Sequence, residues 1–176
     1  MTFGSGFAGK TDCGLRTSAA GHSGVKPMPV SGVARFERFF RLAAGLDVDK
    51  DDLKRYNEFV QRKLYDLLLI AQAKAKANGR DIVEPQDLPI TKGLQECSHR
   101  YRELDEQVDL RPILEQLATY PPLDLALSEE TQARLPEVVG GLSTALAQSF
   151  TIIEPQAKNP TTAQWERAFR LFDLLL

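Results

Sequence analysis

The stretch from Asp51 to Leu88 constrains this chain most. Leu53, Tyr56, Val60, Leu64, Leu67, Leu68, Ala71 and Ala75 recur at helical spacing, which predicts one helix over about Asp51–Asn78. At about 1.5 Å per residue that helix is about 40 Å long, more than a compact domain of 176 residues usually needs. Both of its ends must therefore pack on something. Asn78-Gly79 stops it, Asp81-Ile82-Val83 reads as a short extended patch, and Pro85-Gln86-Asp87-Leu88 opens the next helical segment. Pro85 and Pro89 restrict that start, so regular helix is expected from about Pro89 to Glu106.

Upstream, Phe36, Phe39, Phe40 and Ala43 mark a short helix over Val33–Ala44, ended by Gly45. Asp49, Asp51 and Asp52 supply an N-cap and favourable charge for the long helix. The second half repeats the plan: a short helix over Arg111–Thr119, a break at Tyr120-Pro121-Pro122, a long helix ending near Phe150, and a last helix over Thr161–Leu176. Pro136 is expected to kink the second long helix or move its start, leaving Ser128–Arg134 as a separate turn. Gly140-Gly141 suggests close approach of another helix. Leu46-Asp47-Val48 is echoed by Leu123-Asp124-Leu125 and Glu58-Phe59-Val60 by Glu137-Val138-Val139, which suggests internal duplication. The fold class read here is all-α, with a short-long-short helix pattern occurring twice.

Residues 1–27 hold six of the twelve glycines and little to bury, and read as a disordered leader or a mis-assigned start. Residues 28–106 and 107–176 are the two halves, packed as one unit. The leader's Gly4–Gly9 matches G-x-G-x-x-G, but a dinucleotide site needs a strand before the glycines and only three residues precede these. The net charge is −2, split as +2 on residues 1–27 and −4 on the rest, without the basic excess usual in proteins that grip duplex DNA. No apolar run is long enough for a membrane helix, and no secretory core is seen. Cys13 and Cys97 lie in unlike segments and read as free thiols, so a cytoplasmic protein is expected.

At Lys76–Leu88 the sequence Lys-Ala-Asn-Gly-Arg-Asp-Ile-Val-Glu-Pro-Gln-Asp-Leu resembles the second loop and third helix of archaeal-type histones. Five further pieces extend the likeness: Gly32-Val-Ala-Arg-Phe-Glu-Arg-Phe-Phe-Arg41, Ala43-Ala-Gly-Leu-Asp-Val-Asp-Lys50, Asp87-Leu-Pro-Ile-Thr-Lys-Gly-Leu-Gln-Glu96, Leu135-Pro-Glu-Val-Val-Gly-Gly-Leu142 and Trp165-Glu-Arg-Ala-Phe169. With them, residues 28–176 resemble DUF1931, a bacterial family of uncharacterised proteins with two fused histone folds. The resemblance implies a single-chain histone-fold pseudodimer whose long helices cross as in a histone heterodimer. It implies a structural clamp between Arg80 and Asp87, and DNA-facing positions at Arg35, Arg38 and Arg41. Asp81, Ile82 and Asp47 stand where histones place a basic residue, a threonine and a basic residue, so the phosphate grip is largely lost. In the second half the clamp positions fall on Asn159 and Glu166, and the lock is absent.

Other chemical readings are weaker. Asp47, Asp49, Asp51 and Glu58 match positions of a calcium loop, but Asp52 replaces its glycine, and helix capping explains them better. Cys97 and His99 have no second metal-ligating pair, and His22 has no partner. No nucleophile–base–orienter set can be assembled. The basic residues Lys54, Arg55, Arg62, Lys63, Lys74 and Lys76 share their helix with acids and read as a solvated mixed face. No enzyme, metal or cofactor is expected. The expected role is a non-enzymatic protein-association module, with the C-terminal Phe169–Leu176 cluster offering a homo- or hetero-association face. The alternative is a histone-like nucleoid-associated protein with weak, salt-sensitive DNA binding.

Overall fold

The computed structural model describes residues 30–176; Gly4–Gly9, Cys13, His22 and Met28 lie outside the described residues. In chain order the elements are α1 (Val30–Ala44), α2 (Lys50–Ala77), β1 (Ile82–Val83), a 3₁₀ turn (Pro85–Asp87), α3 (Lys92–Val108), α4 (Arg111–Leu117), β2 (Ala126–Leu127), α5 (Glu129–Ile153) and α6 (Thr162–Leu175). The chain is all-α apart from one short parallel pair, β1 with β2. The short-long-short order occurs twice, as the periodicity predicts.

Local chemistry sets the helix limits. Asp49 Oδ1 accepts the Asp51 and Asp52 N–H groups at 2.8 and 2.9 Å, and Asp52 Oδ2 accepts the Asp49 N–H at 3.3 Å. This reciprocal cap explains the acidic cluster and starts α2. Gly79 turns the chain beyond α2 at φ +66°, a conformation that costs glycine little. Two expected boundaries are corrected. Regular helix begins at Lys92, because Thr91 caps it by accepting the Leu94 N–H at 3.2 Å, and Pro85–Asp87 forms only a tight turn. Pro136 does not delay α5 or leave Ser128–Arg134 apart. Ser128 caps the helix at Glu129, and Thr131 Oγ1 donates to Val83 O at 3.0 Å, so the first turn is fixed before the proline is reached.

The two halves exchange their packing. In the first, the backbone N–H of Asp47, in the loop after α1, donates to Lys158 O in the loop after α5 at 2.8 Å. In the second, the strand before α5 pairs with the strand after α2, in register Ile82 with Ala126 and Val83 with Leu127. Asp47 and Ala126 therefore hold matching places, and the caps Asp49 and Ser128 share the same offset of 79 residues. The Glu58–Glu137 echo is in this register; the Leu123-Asp124-Leu125 echo is two residues out of it.

α5 is the central element and touches every other helix. α3 lies antiparallel along it, as the contacts Cys97–Gln148 and Arg102–Glu137 require. Gly140 and Gly141 face that helix: a methyl on Gly140 would overlap the Tyr101 ring, and one on Gly141 would meet Ser98 Oγ. At the other end an aromatic chain joins four helices. Phe36 and Phe40 of α1 meet Tyr56 of α2 at ring centroids of 4.9 and 5.7 Å, and Phe40 meets Trp165 of α6 at 6.5 Å. Phe150 of α5 meets Trp165 at 4.8 Å, and Phe59 stacks on Phe169 at 5.0 Å. Such pairs add about 0.5–1.5 kcal/mol each beyond the area they bury. One continuous core runs through both halves.

Candidate functional site

The loop between α2 and α3 carries the clamp. Arg80 donates from both terminal nitrogens to the two Asp87 oxygens at 2.5 Å, and Asp87 also accepts the Glu84 N–H at 2.9 Å. Asp87 is fully buried, while 30% of the Arg80 side chain stays exposed. The Arg80 fork holds the Asp87 carboxyl below the usual carboxylate range, and Asp87 in turn raises the guanidinium. The loop after α5, residues 154–161, is shorter than its counterpart at 78–91. It lacks the turn that presents Asp87. Glu166 lies inside α6, past the Thr161 cap, and among the described residues it makes no bond to Asn159.

The three arginines expected to face DNA have different fates. Arg35 donates to Asp109 O at 2.9 Å and lies 3.4 Å from its carboxylate. Arg41 closes on Asp47 Oδ1 through Nε at 3.0 Å and a terminal nitrogen at 2.7 Å. Arg38 is exposed and makes no ion pair among the described residues. Asp81 and Ile82 are both exposed beside the clamp.

The basic residues of α2 are committed in the same way. Arg55 reaches Thr162 at 2.9 Å, Arg62 meets Asp173 at 3.0 Å, Lys76 meets Asp124 at 2.5 Å, and Lys74 donates to Gln86 O. Lys63 corrects the expectation of a solvated face: it is only 3% exposed and lies 2.8 Å from Asp173. The helix of Asp173 packs over it, and the aliphatic stem of lysine suits that site. The Lys63 ammonium keeps the Asp173 carboxyl below its ordinary range. Lys54 remains exposed, without an ion pair among the described residues.

Among the described residues no group of three His, Cys, Asp or Glu could hold a metal, and no helix is long and apolar enough to cross a membrane. Burial pushes the half-buried Cys97 thiol up, and its Sγ lies 4.0 Å from Gln148 Oε1. His99 is exposed, with Nδ1 3.4 Å from Arg102. Two cavities open along α3 and α5. The larger, about 590 Å³, is lined by Pro85, Leu88, Ile90, His99, Arg102 and Arg134 among others. The smaller, about 240 Å³, is lined by Tyr101, Asp105, Glu106 and Arg111 beside Arg102 and Glu137. Sequence reasoning missed this region, because its residues are far apart in the chain and only the antiparallel packing joins them.

The chain is similar to a crystallographically solved protein of Thermus thermophilus, with 52% identity, a TM-score of 0.74, and coverage of 82% of this chain and 97% of that one. A solved Aquifex aeolicus protein shares the fold at 22% identity and a TM-score of 0.72, over 82% of this chain and 95% of its own. Two uncharacterized Aquifex aeolicus (strain VF5) proteins are also similar in sequence. One is 30% identical over 69% of this chain and 78% of its own length. The other is 25% identical over 63% of this chain, which spans only 65% of that relative. The family described as a domain of unknown function, DUF1931, matches residues 36–173, and the chain belongs to it.

Proposed function

We propose that this chain is a histone-fold doublet, a pseudodimer of two histone folds, that serves protein association and carries no catalysis. The reciprocal loop contacts support the doublet: each half sets the loop before its long helix against the loop after the other's. The observation that carries the association reading is the state of the basic side chains. Arg35, Arg41, Arg62, Lys63, Lys76 and Arg80 each have a carboxylate partner within the molecule. A phosphate would have to displace those partners, which removes much of the gain from counterion release.

The face for association is α6. Leu171, Leu174 and Leu175 form a stripe at i, i+3 and i+4 with exposures of 41, 83 and 76%. The reading predicts an apparent mass that rises with concentration in light scattering, and weak DNA binding at low and moderate salt. A tight complex that loosens steeply with salt overturns it. A second reading, a nucleoid-associated protein touching DNA weakly, draws support from Arg38 and Lys54, which have no internal ion pair among the described residues. The cytoplasm is the compartment assigned in either case, on the character of the two cysteines.

A further inference from the structure

The two cavities along α3 and α5 form one groove, divided by the Arg102–Glu137 pair. The smaller lies where α3 gives way to α4, and it has a buried wall and an acidic rim. Tyr101 supplies the buried wall; the residue is 4% exposed and its hydroxyl makes no hydrogen bond. Burial and the neighbouring Asp105 charge push the phenol well above its ordinary range, so it remains a neutral O–H. Asp105 is fixed in place, because its Oδ1 accepts the N–H groups of Leu110 and Arg111 at 2.6 and 3.1 Å. Its Oδ2 accepts no hydrogen bond among the described residues. Glu106 is exposed and makes no ion pair among the described residues. The arginines of the lining are committed, Arg102 to Glu137 and Arg111 to Glu115 at 3.5 Å. Three acceptors therefore remain around this cavity of about 240 Å³: the Tyr101 phenol oxygen, Asp105 Oδ2 and the Glu106 carboxylate.

We propose that this cavity binds the primary ammonium group of a small molecule, among the Tyr101 hydroxyl and the Asp105 and Glu106 carboxylates. An ammonium carries three N–H donors and no acceptor, which matches one neutral and two anionic oxygens. The buried phenol oxygen gains a hydrogen bond there, so binding removes a cost that the fold otherwise carries. A metal ion does not suit the site, since no group of three His, Cys, Asp or Glu among the described residues could hold one. A phosphate or a simple carboxylate would meet two uncommitted negative charges. At about 30 Å³ for a water, the volume has room for about eight, which limits the ligand to about as many non-hydrogen atoms. The site is independent of the association reading and of the α6 face.

The test is isothermal titration calorimetry of the full chain with n-butylamine, n-butanol and γ-aminobutyrate at neutral pH. Butylammonium is expected to bind saturably at low millimolar concentration, and n-butanol, of the same length but uncharged, about tenfold more weakly. The γ-aminobutyrate arm distinguishes a simple amine from an amino acid as the source of the ammonium. Tighter binding than butylammonium shows that Arg111 turns to the ligand carboxylate, weaker binding that it stays with Glu115, and either supports the site. Tyr101→Phe is expected to weaken butylammonium about tenfold without lowering the thermal midpoint, because the hydroxyl has no partner to lose. Glu106→Gln, at an exposed position, is expected to weaken it about threefold with the midpoint unchanged. No saturation up to about 10 mM, equal binding of n-butanol, or indifference to both variants overturns the proposal. A lower midpoint for Tyr101→Phe also overturns it, since the hydroxyl would then have a partner within the fold.

Discussion

The hydroxyls of Tyr56 on α2 and Ser143 on α5 lie 2.6 Å apart in the core, and Ser143 donates its proton to Val139 O at 2.6 Å. Tyr56 is therefore the donor of the bond that joins the two long helices. Both residues are essentially without solvent contact, and burial pushes the Tyr56 phenol well above its ordinary range.

This direction predicts an asymmetry. Tyr56→Phe leaves Ser143 bonded to Val139 and loses one neutral hydrogen bond, a cost of about 1 kcal/mol. Ser143→Ala leaves the Tyr56 hydroxyl buried without an acceptor, a cost of about 1–3 kcal/mol. Urea midpoints are expected to fall further for Ser143→Ala. Equal losses would mean that the serine is not the only acceptor.

The Arg80–Asp87 clamp predicts a pH dependence. The folded Asp87 carboxyl titrates below its unfolded value of about 3.9. Its contribution is fully present above that unfolded value and disappears as pH falls through the folded one. Asp173, held down by Lys63, acts in the same direction, while Asp52, raised by burial, opposes them. Asp87→Ala at neutral pH leaves Arg80 without its carboxylate and costs about 2–3 kcal/mol, less than a fully buried pair because Arg80 is part exposed. The gap between wild type and Asp87→Ala is expected to close as pH falls below the unfolded carboxylate value of about 3.9 in denaturant titrations. A gap constant with pH would remove the ion pair as its cause.

Much of this architecture can be read from local signals, and the rest depends on packing that local signals do not carry. Asp49 and Gly79 bound α2 by backbone chemistry that needs only neighbouring residues. Thr91 was as readable a cap as Asp49, yet the two prolines before it drew the expected boundary toward themselves. α5, the hub, carries a signal of its own: Val138–Phe150 has no charged residue, the mark of a helix buried on all sides, and each of these residues is buried or half-buried. Lys63 and the groove at Arg102–Glu137 depend on which helix lies opposite. No period within α2 or α3 reports that α6 covers one and α5 the other.

The glycine pair tests that packing. Gly→Ala inside a helix ordinarily gains about 1 kcal/mol of propensity. At Gly140 the added methyl overlaps the ring of Tyr101, which is 4% exposed and has little room to move. The sign therefore reverses, with an expected net loss of about 1–3 kcal/mol. At Gly141 the nearest obstacle is Ser98 Oγ, while the Leu94 side chain and carbonyl stand at 3.2 and 3.3 Å. Gly141→Ala is expected to destabilise, and Ser98→Ala in the same chain to restore part of the loss. Thermal midpoints of the two single variants and the double variant check this. Additive losses would place the strain elsewhere.

Arg41 is neutralised by Asp47, and the exposed side chains beside the clamp are Asp81 and Ile82. If the two loops have the geometry that the proposed histone-fold doublet implies, a few substitutions should confer phosphate binding. Asp47→Lys releases Arg41 and adds a charge; Asp81→Lys and Ile82→Thr supply a cation and a hydroxyl donor. All three positions are exposed, so the fold is expected to survive. Together they remove two negative charges and add two positive ones, and binding to duplex DNA should strengthen at low salt. The slope of log affinity against log salt should steepen by about 0.9 for each phosphate newly neutralised. Filter binding or anisotropy across a salt series measures this. A triple variant with the wild-type slope would show that the two loops do not lie where one duplex could reach both.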